Sequence, residues 1–142
     1  MDFKTIGMKI TGILGMLLIL WLFSLGQVMA QKTTSQTKSF LSELKSGNTD
    51  GLALHFGSFI LLNIDNEQKV VSRSQAKLQL AAFFENHPAD QVVLFKSGID
   101  DNQEYFIYYY HTKGTKWRIY LLLATQESEK KIIQLDMVKK QE

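Results

Sequence analysis

The stretch "YFIYYYHTKGTKWRIYLLLA", residues 105–124, predicts a long β-hairpin with two unlike faces. A two-residue turn that uses Gly114 suits the "TKGT" segment between the two halves. Successive side chains of a strand point to opposite faces, and this turn pairs odd positions with even ones. The face expected to lie inside carries Phe106, Tyr108, Tyr110, Trp117, Ile119 and Leu121. The face expected to meet water carries Tyr105, Tyr109, His111, Lys116, Arg118 and Tyr120.

The inner rings have two interpretations, which the sequence leaves open. In one, they fill the core, since an aromatic side chain can bury ~150–250 Å². In the other, they line a pocket for an apolar or aromatic ligand, together with residues of a preceding helix. The candidate pocket residues are Leu80, Phe84, Tyr108, Tyr110 and Trp117. In either case we expect these rings to lie inside without an ionisable companion.

The outer face of the same hairpin is a candidate contact surface. Tyr and Arg are enriched at protein–protein interfaces. The candidate interface residues are Tyr105, Tyr109, Arg118 and Tyr120. Contact between two such faces would give a two-fold homodimer. His111, beside Arg118, is expected to be a solvated strand residue.

Upstream of the hairpin, the sequence predicts two helices and then two strands. Phe40, Leu41 and Leu44 recur at helical spacing, and Gly47 is placed to end that helix. Asn48 is a suitable N-cap for a second, short helix. "SFILLNID", residues 58–65, is rich in β-branched and large apolar residues and ends in a turn signal, so it predicts a strand; "KVVS" is expected to return beside it.

The run "SRSQAKLQLAAFFENHP", residues 72–88, predicts the clearest helix, because Ser72 and Gln75 form a capping box and Pro88 ends the run. Four strand-like segments follow: "QVVLFKSG", "EYFIYYYHT", "KWRIYLLLA" and "KKIIQLDMV". The predicted order is α-α-β-β-α-β-β-β-β. This order indicates an α+β domain in which helices pack on one face of a curved antiparallel sheet.

That order, with "SGNTDGLALHF" at residues 46–56 and the helix at residues 72–88, resembles the nuclear-transport-factor-two-like superfamily. Within it, the chain is similar to a group of small exported bacterial domains of unassigned function. The resemblance covers about residues 33–139. It implies a cone-shaped half-barrel with a pocket between sheet and helices. Relatives use this pocket for isomerisation, dehydration, ligand binding or simple packing, so the fold alone selects no function.

The N-terminus predicts export. Lys4 and Lys9 precede an uncharged apolar run. Val28 and Ala30 occupy the positions at which a signal-peptide cleavage site usually has small residues. Residues 1–30 are therefore expected to be a signal peptide cleaved near Ala30, leaving residues 31–142 as one periplasmic or extracellular domain. The alternative is an uncleaved membrane anchor. It is disfavoured because residues 10–25 span roughly 24 Å as a helix, less than the ~30 Å hydrocarbon core.

Asp136 is the candidate for acid–base chemistry. If the last hairpin uses a four-residue loop, residues 126–129, Asp136 falls on the Trp117 face and could pair with Tyr108 or Tyr110. A one-residue bulge would reverse the strand and bury Ile133, Leu135 and Met137 instead. We expect Asp136 to point outward, because each apolar burial stabilises by ~1.5–3 kcal/mol whereas a buried carboxylate is costly.

Other kinds of site find no support in the sequence. There are no cysteines, and His55, His87 and His111 do not have the spacing of a metal-binding motif. No glycine-rich phosphate loop is present either. From these observations together, the sequence predicts no metal and no cofactor. The formal net charge is only +2 with no basic run, which argues against nucleic-acid binding.

The functional prediction is an exported, non-catalytic binding or interaction domain with an aromatic-lined interior. Its partner is expected to be a small apolar or aromatic ligand, another protein, or a second copy of the chain. The membrane is involved only through the N-terminal segment, if that segment stays attached. The alternative is a small acid–base isomerase or dehydratase that uses Asp136 with a pocket tyrosine.

Overall fold

The computed structural model describes residues 27–141, with side chains described from Ser35 onward. The chain divides into two compact units, Met1–Gln36 and Thr37–Glu142, and the sheet and the hydrophobic core belong to the second. The predicted signal peptide lies mostly outside the described residues. Within them, no helix has both the length and the apolar content needed to cross a membrane.

Within residues 27–141, three helices and six strands follow one another in the predicted order. They are α1 (Gln27–Ser46), α2 (Thr49–Leu54), β1 (Phe56–Ile64), β2 (Glu67–Ser72), α3 (Arg73–Asn86), β3 (Gln91–Asp100), β4 (Gln103–Thr112), β5 (Thr115–Gln126) and β6 (Glu129–Lys139). The α+β class is confirmed, and the sheet is curved and does not close into a barrel. The expected cleavage point at Ala30 falls inside α1.

Both predicted helix starts are confirmed by their hydrogen bonds. Asn48 Oδ1 accepts the Gly51 N–H at 3.1 Å at the start of α2. At the start of α3, Ser72 Oγ accepts the Gln75 N–H at 3.3 Å, and Gln75 Oε1 accepts the Ser72 N–H at 3.1 Å. These contacts satisfy donors that the first helical turn would leave free.

The strands form one sheet in the order β2-β1-β6-β5-β4-β3. Four neighbouring pairs are antiparallel, whereas β1 and β6 are parallel, so the sheet is mixed. This pair differs from the expected antiparallel sheet. After the crossover through α3, strands β3–β6 form a meander on the side of β1 opposite to β2. The last strand of the meander, β6, lies next to β1 and runs parallel to it. Such long-range pairing leaves no local sequence signal.

Tight two-residue turns fix the register of each hairpin. Both central residues of every turn have positive φ, the geometry of a type I′ turn, which matches the twist of the flanking strands. The pairs are Asp65–Asn66, Asp101–Asn102, Lys113–Gly114 and Glu127–Ser128. The turn of the quoted hairpin is therefore Lys113–Gly114, one of the two alternatives, and the predicted odd–even pairing holds along β4 and β5.

The core lies between the helices and one face of the sheet, here called the inner face. Phe106 lies opposite Leu121 on that face, Tyr108 opposite Ile119, and Tyr110 opposite Trp117, and all six side chains are buried. Helices α1 and α3 cover them with Phe40, Leu44, Ala76, Leu80, Phe83 and Phe84. The opposite surface of the sheet is the outer face. The predicted division of the hairpin into two faces is confirmed.

Candidate functional site

The five predicted pocket residues come together on the inner side and are all buried. Their exposed fractions range from 0% for Leu80 and Tyr108 to 7% for Phe84. Phe84 and Tyr110 have ring centroids 5.9 Å apart, and Phe83 fills the space toward Trp117 with its centroid at 4.9 Å. The rings contact one another and the helices directly.

The two buried phenols donate to main-chain carbonyls. Tyr108 Oη donates to Thr37 O at 3.3 Å, and Tyr110 Oη donates to His87 O at 2.5 Å. Burial raises the pKa of Tyr110 to about 12, with a further rise from the Asp90 carboxylate. Burial also raises the pKa of Tyr108, and the charge of Glu43 adds to the rise. Both phenols therefore stay protonated near neutral pH and act as structural donors.

Two surface grooves formed by the described residues differ in how they relate to that aromatic cluster. One of about 370 Å³ reaches the edges of Phe84 and Tyr110, beside Gly47 and Pro88. Another of about 630 Å³ is lined by Gly57, Phe59, Arg73, Gln126 and Lys131, with Ser58, Glu127 and Glu129, and includes no predicted site residue. Neither is enclosed by the buried rings.

Asp136 lies on the outer face because of a β-bulge in β6. The Glu127–Ser128 turn pairs Gln126 with Glu129. If this register continued along β6, Asp136 would lie opposite Ile119 and point inward. The register then shifts: Leu123 faces Ile132, but Leu122 faces Gln134. Ile133 is the extra residue, and Asp136 consequently lies opposite Tyr120 instead of Ile119. The residues buried in β6 are Ile132, Leu135 and Met137, so Ile132 takes the inner place expected for Ile133.

This placement separates the proposed acid–base partners. Asp136 is on the outer face, as expected, whereas Tyr108 and Tyr110 are on the inner face, so the alternative in which Asp136 pairs with a pocket tyrosine is wrong. Its outer neighbours are Tyr120 across β5 and Asn63 beside it in β1.

The carboxyl of Asp136 is half-buried even on this face. Burial raises its pKa above the usual value, while the hydrogen bond from Gln134 and the charge of Arg118 act in the opposite direction. Gln134 Nε2 donates to Asp136 Oδ2 at 3.0 Å. Asp136 Oδ1 and Asn63 Oδ1 are both buried and have no hydrogen-bond partner among the described residues. The pKa of Tyr120 is likewise raised, first by burial and then by the Asp136 charge.

All four predicted interface residues lie on the outer face. The rings of Tyr105 and Tyr120 stack with centroids 6.3 Å apart. They border a groove of about 390 Å³ that also includes Lys96, Asp100, Gln103, Ile107 and Leu122. Tyr109 lies opposite Arg118 and contacts Phe95, with ring centroids 4.7 Å apart. The outer face thus carries an aromatic row that is only partly shielded from water.

Comparison with known proteins identifies the family of the chain. A family model described as a domain of unknown function, DUF4783, matches residues 37–137. The chain belongs to the DUF4783 family. No curated protein matches the sequence.

Solved DUF4783 structures share the fold. One from Bacteroides uniformis is 23% identical, with a TM-score of 0.69, and the match covers 74% of this chain and 97% of that one. One from Bacteroides fragilis is 24% identical, with a TM-score of 0.67 and coverage of 72% and 96%. An NTF2-like protein from Cytophaga hutchinsonii is 12% identical, with a TM-score of 0.58 and coverage of 78% and 98%. The expected nuclear-transport-factor-two-like fold is confirmed.

The DUF4783 domain also has buried acids that the sequence reasoning missed. Glu104 is only 6% exposed, on the inner face two residues before Phe106, and its Oε1 has no hydrogen-bond partner among the described residues. The expectation that the inner face has no ionisable residue is therefore wrong. The alternation that placed Phe106 inside also applies to Glu104, so the signal was present in the sequence.

Glu43 belongs to a small polar cluster between α1 and the start of β1. Ser39 Oγ donates to Glu43 Oε1 at 3.0 Å, and His55 Nε2 lies 3.7 Å from the same oxygen. The Phe40 ring meets the His55 ring edge-on, with centroids 5.0 Å apart. Because the carboxylate lies between the hydroxyl and the imidazole, His55 cannot act on Ser39 as a general base. The cluster links α1 to the C-terminal end of α2.

Phe95 is a second residue that the sequence reasoning missed. Val93 lies opposite Tyr109, so alternation along β3 places Phe95 on the outer face, where it is 59% exposed, and the register shift after Leu94 puts Lys96 on that face as well. The run from Val92 to Phe95 is apolar throughout, so it gave no indication of which of its residues would be exposed. Phe95 extends the aromatic row of Tyr109 toward the edge of the sheet.

Proposed function

We propose that this chain is an exported, non-catalytic protein-interaction domain that binds its partner through the outer face of the sheet. The observation that carries the proposal is the contrast between the two faces. The inner rings are buried against one another, whereas the outer aromatic row is partly open to water.

The inner face argues against a small-molecule receptor. A ligand site of ordinary size has a volume of ~300–1,000 Å³ and encloses most of its ligand. Tyr108, Tyr110 and Trp117 instead occupy their space themselves, with exposed fractions of 0–5%. A ligand could enter only by displacing side chains from a packed core, and that displacement would cost several kcal/mol per large side chain.

The placement of the acids argues against acid–base catalysis. Asp136 has the raised pKa of a general acid, but it lies among outer-face residues, and the described grooves do not include it among their lining residues. The same grooves do not reach Glu104. A catalytic carboxyl needs a substrate held within hydrogen-bond distance.

The outer face has the composition of a protein contact surface. It combines Tyr105, Tyr109 and Tyr120 with the exposed Phe95 and Arg118. Aromatic residues and Arg are the types enriched at protein–protein interfaces. A second copy is the simplest occupant, because like faces can meet around a two-fold axis.

Photo-crosslinking in the producing cells tests this proposal. A photoreactive phenylalanine analogue replaces Phe95 on the outer face or, as the matched control, Leu54 on α2, which is 74% exposed. We expect a discrete crosslinked product from position 95 and none from position 54. Light scattering over a concentration series in the micromolar range then shows whether the product is a homodimer.

Two results would count against the proposal. Crosslinking of equal yield from both positions would indicate contacts without a preferred face. A rise in melting temperature with an apolar or aromatic compound, lost in Phe84→Ala, would favour the ligand-binding alternative. Export has a separate test: the intact mass of the protein recovered outside the cytoplasm should correspond to a chain that begins at Gln31.

A further inference from the structure

We propose that one end of the outer face binds an acidic segment of the partner protein. This end, called here the basic end, consists of Lys116, Arg118 and Lys140 around the ring of Tyr109. The inference rests on the proposed function, because it names the chemistry that the outer face would recognise.

Two lysine ammonium groups lie over a single aromatic ring, and an arginine stands on the strand paired with it. Lys116 Nζ lies 4.0 Å from the centroid of the Tyr109 ring, and Lys140 Nζ lies 5.4 Å from it. Arg118 is directly opposite Tyr109 across the β4–β5 ladder. Lys140 N donates to Lys116 O at 2.8 Å, which holds the last residues of the sheet beside β5. The charges are therefore placed by strand pairing and not only by flexible side chains.

Acids of the described residues balance the basic end only in part: the charge of Arg118 acts on the carboxyl of Asp136, the next outer-face residue of β6 after Val138. Across the part of the chain that the structure describes, none of its three cations forms an ion pair within 4.0 Å. The other outward-facing residues at this end of β3–β6 include no carboxylate; they are Gln91, Val93, Phe95, His111 and Val138. Like charges on neighbouring strands destabilise a sheet, and a bound anionic group would relieve that repulsion.

The charge pattern of the whole face favours a protein segment over a membrane or a nucleic acid. Toward the other end, the same face carries Asp136, and Asp100 borders its groove. A uniformly anionic surface would meet these acids as well as the cations. An acidic segment of a few residues can cover the basic end alone, and an apolar residue within it can contact Phe95 and Tyr109.

The test is an NMR titration of the isotope-labelled protein, recovered from cells that express the full chain. The probe is a blocked pentapeptide with the sequence Glu-Glu-Phe-Glu-Glu, and the control peptide has Gln at each Glu position. We expect the acidic peptide to shift the amide signals of Tyr109, Lys116 and Lys140. Lys116→Gln and Arg118→Gln should each weaken its binding about two- to fivefold, the range of exposed ion pairs. Lys69→Gln, an exposed lysine on β2, should leave binding unchanged.

Each other outcome would overturn the inference. Equal binding of the Gln peptide would show that charge is not recognised, and inorganic phosphate that saturates the same signals equally well would show a simple anion site. Binding to phosphatidylglycerol vesicles without peptide binding would indicate a membrane surface. If the Phe95 crosslink forms in cells and survives Lys116→Gln together with Arg118→Gln, the outer face binds a partner but not through acidic groups. If the peptide binds but no crosslink forms, the proposed function fails instead.

Discussion

Asp136→Asn is expected to stabilise the domain at neutral pH, which is unusual for a substitution of a half-buried charged residue. In the folded chain, Asp136 Oδ1 and Asn63 Oδ1 are neighbouring buried acceptors without donors among the described residues. An Asn side chain has the same shape, carries no charge and supplies an N–H beside a strand that holds an acceptor without a donor. Gln134 can still donate to the remaining oxygen, as it does at 3.0 Å in the native chain.

The size of the gain follows from these contacts. An unpaired buried polar atom costs about 1–3 kcal/mol, and a typical hydrogen bond contributes about 1 kcal/mol net. Because the side chain is only half-buried, water screens part of the charge effect. We therefore expect the free energy of unfolding at pH 7 to rise by about 1–2 kcal/mol.

The pH dependence of stability shows whether the charge of Asp136 causes the effect. Since the folded-state pKa of Asp136 is raised, its carboxyl binds a proton more tightly in the folded chain than in the unfolded chain. Its contribution to stability is fully present below the unfolded pKa, near 3.9, and is lost as the pH rises through the folded pKa. The Asn variant lacks this loss, so its advantage should be large at pH 7 and small at pH 3.

Urea unfolding followed by circular dichroism at pH 3, 5 and 7 measures the effect. Asp100→Asn, on an exposed carboxylate at the end of β3, serves as the control and should change stability by less than about 0.5 kcal/mol. A gain for Asp136→Asn that is equal at pH 3 and pH 7 would show that the charge is not its cause. A loss of stability at pH 7 would refute the unpaired placement of the two oxygens.

Three further predictions concern the packing and the turns. Tyr110→Phe should lower the free energy of unfolding by about 1 kcal/mol, because it removes the hydrogen bond to the His87 carbonyl; urea titration at pH 7 measures this. Leu80→Ala should lower the free energy of unfolding by about 2–5 kcal/mol, because the Leu80 side chain is 0% exposed. Leu78→Ala, at a side chain that is 70% exposed, should lower it by less than about 0.5 kcal/mol. Equal losses for the two variants would contradict the assigned helix face. Ser128→Gly should stabilise the domain by about 0.5–1 kcal/mol, because Ser128 has a φ of +70°, which glycine adopts without strain. Thermal unfolding would show the gain as a higher midpoint temperature.

The local elements were predictable where one residue type dictates the geometry. The capping box of Ser72 and Gln75 predicted the start of α3. Gly114 limited the quoted hairpin to two turns of the same parity, so the inner and outer faces of β4 and β5 followed from alternation alone. These features depend on contacts between residues close in sequence, for which the signal is local.

The features that were not predictable depend on distant contacts or on irregular strands. The parallel pairing of β1 with β6 joins residues more than seventy positions apart, such as Asn63 and Asp136. The exposure of Phe95 was not predictable because the run from Val92 to Phe95 is apolar throughout, so no polar alternation marks its outer face. Glu104 is different: alternation from Phe106 places it on the inner face, but the sequence analysis assigned it to neither face.

The bulge in β6 shows how apolar spacing decides where an acid lies. Ile132 and Leu135 both point inward, yet they are three positions apart, a spacing that a strand of period two cannot satisfy. One extra residue, Ile133, resolves the conflict and lets Leu135 and Met137 follow on the inner face. Without it, those two side chains would turn outward and lose roughly 1.5–3 kcal/mol each, while Asp136 would enter the core. The apolar residues of β6 therefore exclude the carboxylate from the inner face, and it is this exclusion that places Asp136 on the outer face, opposite Tyr120.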